Sequence, residues 1–157
     1  MEKIKTKIDG DDILVNDDTV KLLKECNAGI KMGVSSIEEV IDRVENHTLK
    51  ATLVQSLDEH KRLGNETHSI LNQYNDEGKE PNIMAKSMSW LKTNMMLAAN
   101  ECDQTISDLL TDGCNMGVKS LSKYLNKYVA ADENSKDIAK KLISMESQLA
   151  IDIRPYL

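Results

Sequence analysis

Phenylalanine is absent from this 157-residue chain, and aromatics as a whole reach only 3%. That removes the broad stacking surfaces on which bases, sugars and flavins lie, and leaves Leu, Ile, Val, Ala and eight Met to build a core. No long hydrophobic run occurs. The longest uncharged apolar stretch, Met95–Ala99, is far shorter than a membrane span. The opening MEKIKTKIDGDD lacks the apolar segment of a secretory signal, so a soluble, cytoplasmic protein with no membrane partner is expected. The three cysteines, Cys26, Cys102 and Cys114, are odd in number, far apart and without a Cys-x-x-Cys pair. This argues against a disulfide framework or a structural zinc site, and buried free thiols are the expectation. An excess of positive charge is also missing. The formal net charge is −6, with lysines interspersed among Asp and Glu, which excludes nucleic acid as the main partner. Phosphate loops, dinucleotide glycine fingerprints and G-x-S-x-G elbows do not occur. The Asp-rich GDDILVNDD lacks the ligand alternation and terminal Glu of a calcium loop.

What the chain does contain is helical periodicity, and no period-2 alternation long enough for a sheet. From His47 to about Asn75, Leu53, Leu57, His60, Gly64, Thr67, Leu71 and Tyr74 recur at three- and four-residue steps and so share one face. That face is apolar except at its middle, where His60 stands in place of a Leu. A first helix is expected from a cap at Asp17–Thr19 to about Glu45, with Gly29 and Gly33 placed for close approach of a neighbour. Residues 1–16 read as a polar N-terminal arm with no stable element, and residues 17–157 as a single bundle domain. Asn46 to Thr48 form a tight link that folds the second helix back on the first. A third helical region spans about 82–129. At about 1.5 Å per residue it is too long for its partners and must bend or break. The candidate sites are Asn100–Asp103 and Asp112–Gly117, with the second favoured. A last helix, about 135–153, starts from a capping pair Asn134/Asp137 and is stopped by Pro155. Amphipathic helices with one apolar stripe each bury those stripes only against one another, so the fold class is all-α, an antiparallel four-helix bundle.

Bundles that hold two metal ions place a Glu on each of two helices and a Glu-x-x-His on each of the other two. Here three residues before His60 stands Leu57, three before His68 stands Asn65, and three after Glu146 stands Leu149. The paired motif is absent. A partial set remains on or beside the seams: His60, Glu25, Glu101 and Glu146 are the candidate ligands for iron or manganese.

Several stretches together resemble a known group. LLKECNAGIKMG in the first helix, LDEH in the second, SMSWLK, TDGCNMGVKSLSKYLNKY and the Met145–Glu146 helix are similar to ferritin-like bacterial four-helix-bundle proteins of unknown function, common in spore-forming Gram-positive bacteria. The resemblance covers about residues 18–157 and implies a ferritin-like bundle. Some relatives carry glutamates suited to metal in the first and third helical regions. The matching neighbourhoods here read Gly29-Ile30-Lys31-Met32 and Cys114-Asn115-Met116-Gly117, so the implied ligand set is incomplete. Two readings follow. The first is a non-enzymatic interaction or stress-associated structural protein without a complete di-metal site. The second is a metal-binding, iron- or manganese-dependent oxidase or storage relative. Self-association as a homodimer or higher oligomer is expected through Leu14, Val54, Met96, Leu97 and Leu110, which lie off or beside the main stripes.

Overall fold

A computed structural model describes residues 10–74 and 102–157, without the side chains of residues 11 and 12. Every regular element among them is helical: α1 (Gly10–Val40), α2 (His47–Gln73), α3 (Asp103–Lys127) and α4 (Glu133–Asp152), with short 3-10 turns at Ile41–Arg43 and Arg154–Tyr156. The buried positions follow the sequence stripes. On α2 they are Leu49, Leu53, Ser56, His60, Leu63, Thr67 and Leu71, a three- and four-residue spacing that turns one face inward along the whole helix. Fully burying a Leu side chain contributes about 1.5–3 kcal/mol, so this face alone is a substantial share of the driving force.

The links at the two ends fix the directions. At one end the Asp103 carboxylate accepts from the backbone N–H groups of Glu45 and Asn46, at 2.9 Å each, and ties the α1–α2 turn to the start of α3. At the other, Asp18 and Thr19 side chains accept from Ala130 and Asp132 N–H, tying α1 to the α3–α4 link. The Tyr74 hydroxyl meets Asp132 there as well. The helices α2 and α3 therefore both run from the Asp103 end to the Asp132 end, and α1 and α4 run the opposite way. This is an all-α four-helix bundle with antiparallel packing.

Several boundaries differ from the sequence reading. Helix α1 begins at Gly10, so the second part of the expected arm is helical. Asp18 and Thr19 are not its cap, because their oxygens are taken by the distant α3–α4 link. The cap of α4 is Asp132, which accepts from Ser135 N–H, rather than Asn134. Asn46 caps α2 as expected, accepting from Thr48 and Leu49 N–H. Helix α3 continues unbroken through Asp112–Gly117, so the favoured bend there is absent; its start at Asp103 coincides with the other candidate break. The expected helix from about 82 and the pair Met96–Leu97 lie outside the described residues. Of the proposed outer contact, Leu14 and Val54 are exposed, but Leu110 is buried in the interior.

The core is divided. One apolar cluster gathers Ile37, Val40, Leu49, Leu53, Ile106 and Leu149 with their neighbours. The other gathers Leu22, Leu23, Leu63, Leu71, Ile138 and Leu142. Between the two, each helix supplies something other than a large apolar side chain: Gly33 on α1, His60 on α2, Gly117 on α3 and Glu146 on α4.

Candidate functional site

This waist encloses a cavity of about 160 Å³, lined by all four helices. Its walls are mostly apolar, from Ile37, Leu109, Leu121 and Leu149 among others, with the Met32 and Met116 thioethers beside them. It comes to the surface along α3, where Gly113, Met116 and Ser120 are exposed. An engineered apolar cavity of about 150 Å³ stays dry and takes up benzene, so this space is large enough for a small organic guest.

Two glycines make room for the polar side chains of the waist. A Cβ at Gly33 would stand 2.7 Å from Cδ2 and 2.9 Å from Nε2 of His60, so the ring lies directly on the α1 backbone. A Cβ at Gly117 would overlap the carboxyl group of Glu146. At Gly113 a Cβ would meet nothing, and that position is open.

His60 is 1% exposed and held by its own helix. Its Nδ1 lies 2.7 Å from the carbonyl oxygen of Ser56. A carbonyl cannot donate, so Nδ1 carries the proton and donates to it. Burial lowers the histidine's proton affinity, against the opposing effect of the Ser56 carbonyl, and keeps the ring neutral near pH 7. In that tautomer Nε2 bears a free lone pair and is an acceptor. Thr67, further along the α2 face, donates to the Leu63 carbonyl at 2.7 Å and is not among the residues lining the cavity.

Glu146 is 7% exposed, and its Oε2 has no hydrogen-bond partner among the described residues. Burial pushes its carboxyl up from 4.5 to about 8. It is therefore mostly protonated at neutral pH. Glu25, at the edge of the cavity, accepts a hydrogen bond from the Tyr124 hydroxyl, whose own acidity is reduced by burial and by that carboxylate. Cys114 is buried against the same cavity and its thiol is pushed up to about 12 by burial, with Glu146 adding to the effect, so it is inert.

Three of the four candidate ligands thus border one cavity: Glu25, His60 and Glu146. The fourth, Glu101, lies outside the described residues. The three do not fit a pair of metal ions. No group of three His, Cys, Asp or Glu side chains converges closely enough to hold even one ion among the described residues. Glu25 is engaged by Tyr124, and Glu146 holds its proton. The pairing of Gly117 with Glu146 and the exposed thiol were the features least visible in sequence. Gly33 and Gly29 were legible as close-approach positions; Gly33 is one, whereas a Cβ at Gly29 would stand 3.5 Å from Leu142 Cδ2, an ordinary contact. The glycines of α3, by contrast, read as a bend. Cys102, expected to be buried, is exposed at the start of α3; its Sγ lies 3.5 Å from Thr105 Oγ1, and that contact favours the thiolate.

No family model, curated protein or solved structure matches the chain. Among the described residues no helix is long and apolar enough to cross a membrane. Fold and site together define a four-helix bundle with a waist cavity that carries one imidazole and one buried carboxyl.

Proposed function

We propose that this protein is a non-enzymatic bundle of the ferritin-like type that acts by binding, with its waist cavity as the binding element. One observation carries this reading. The level of the bundle at which inward-facing carboxylates and histidines would grip metal is occupied by two glycines, one neutral imidazole and one unpartnered carboxyl around an apolar space. The ferritin-like assignment is supported by helix direction. Because α2 and α3 run the same way, the chain leaves the described residues at Tyr74 at one end and re-enters at Cys102 at the other, as the single long crossover of ferritin-like bundles requires.

The test is elemental analysis of protein purified without chelator, together with calorimetric titration of iron(II) and manganese(II). The expected result is substoichiometric metal and no saturable site at the waist. Stoichiometric iron or manganese that is lost in His60→Ala would overturn the proposal and return the protein to the metal-dependent oxidases and storage proteins. Self-association belongs to the same proposal, through the exposed Leu14 and Val54; light scattering showing a monomer at all concentrations would dispose of it.

A further inference from the structure

The charge that the described lining of the cavity can carry is of one sign. His60 Nε2 is a neutral acceptor, and Glu146, both donor and acceptor while protonated, becomes an anion on losing its proton. Glu25 adds a second carboxyl at the rim, and among the described residues no Lys or Arg lines the space. An anionic guest would meet carboxyl groups and no donor cation. A purely apolar guest would leave Oε2 of Glu146 buried and unsatisfied. A guest with an apolar body and a cationic donor head satisfies both the walls and the carboxyl.

Resting on the binding reading above, we propose that the waist cavity takes a small apolar amine in its ammonium form, the ammonium paired with the Glu146 carboxylate and the hydrocarbon body seated among Ile37, Leu109, Met116 and Leu121. Size sets the limit, since a cavity of about 160 Å³ holds one six-membered ring or a short chain and no more. The charge balance is explicit. The ammonium enters with its protons, the carboxyl of Glu146 gives one proton to solvent, and a neutral ion pair remains in the apolar interior. The other titratable groups at the cavity are Glu25 on α1, His60 on α2, and Cys114 and Tyr124 on α3. None of them provides a competing cation, because the imidazole is neutral and the thiol and phenol are uncharged near pH 7.

The experiment is isothermal titration calorimetry at pH 7 with benzylamine, and with benzyl alcohol and toluene as neutral isosteres, in two buffers of different ionisation enthalpy. The expected result is one benzylamine per chain, at least tenfold tighter than benzyl alcohol, with close to one proton released per amine bound. Glu146→Gln, verified as folded by circular dichroism, weakens benzylamine at least tenfold and abolishes the proton release. Equal affinity for amine and alcohol, binding without proton release, or an unaffected Glu146→Gln would overturn the proposal. Binding of toluene or benzyl alcohol without benzylamine would overturn the amine assignment and leave the cavity as a binding site. Failure of all three probes to bind would overturn both.

Discussion

The carboxyl group of Glu146 on α4 lies against the backbone of α3 at Gly117, in the space where any other residue's Cβ would stand. A glutamate at an inward position of one helix is thus accommodated by the missing side chain of another. The same relation holds between His60 on α2 and Gly33 on α1. Two polar side chains in the seam are each matched by a glycine across it, and the core is parted there into two apolar halves.

The glycines of α3 separate by context. Gly113→Ala meets no neighbour and gains helix propensity, so it is expected to stabilise the fold by roughly 0.5–1 kcal/mol. Gly117→Ala drives a methyl into Glu146 and is expected to destabilise by roughly 1–3 kcal/mol. The loss at Gly117 should shrink when Glu146→Ala is added, because the pair no longer collides. Urea unfolding of the wild type, the three single variants and the double variant checks the signs.

Stability should depend on pH through the two waist residues. The folded Glu146 carboxyl titrates near 8 and its ordinary value is 4.5, so the folded state holds a proton that the unfolded chain has released. Its contribution is present below 4.5 and is lost as pH rises toward 8. His60 has the opposite sense. Its folded proton affinity is below the ordinary 6.5, so the unfolded chain takes up the proton first and stability falls as pH drops below 6.5. From pH 6.5 to 8 Glu146 acts without that opposition, and at about 1.4 kcal/mol per unit the loss is roughly 2 kcal/mol. Glu146→Gln should flatten this limb in urea titrations across the window; an unchanged slope would show that another group sets it.

The three thiols should react at very different rates. Cys102 is exposed and its acidity is raised by the Thr105 hydrogen bonds. Cys26 and Cys114 are buried, with both thiols pushed up to about 12. Titration with a thiol-specific chromogenic disulfide at pH 8 should label Cys102 within minutes and the other two only on unfolding. Cys102→Ser should abolish the fast phase.

Asp103 should behave as a clamp, not as an ordinary first-turn acid. Its two oxygens accept from Glu45 and Asn46 N–H, joining two hairpins that are far apart in sequence. Asp103→Ala should cost roughly 1–3 kcal/mol, since hydrogen bonds to a charged group exceed neutral ones. The α1–α2 turn should lose amide protection in hydrogen exchange while the centre of α2 keeps it.

The helices were legible because each writes its own stripe. Leu49, Leu53, His60, Thr67 and Leu71 repeat with the helical period, and burial of that face requires only that partners exist. The candidate site was legible in part for the same reason, since His60, Glu25 and Glu146 stand on or beside stripes and do border one cavity. The bend placed at Asp112–Gly117 failed because glycine carries two meanings. It weakens a helix locally, but it also admits a neighbour, and here the approach of Glu146 from α4 prevails. Likewise Asp18 and Thr19 looked like a cap because local rules see only the next turn, whereas their partners, Ala130 and Asp132, are more than a hundred residues away.

By itself, then, the sequence determined the all-α class, the inward faces and the residues able to carry charge or coordinate, because these follow from period and side-chain chemistry within one helix. Tertiary structure alone decided that Gly33, His60, Gly117 and Glu146 stand at one level, that the space among them is a cavity in which no three described His, Cys, Asp or Glu side chains converge, and that Glu146 is mostly protonated at neutral pH. Register between helices and the dielectric around a carboxyl depend on how four separate stripes are brought together, and no single stripe records either.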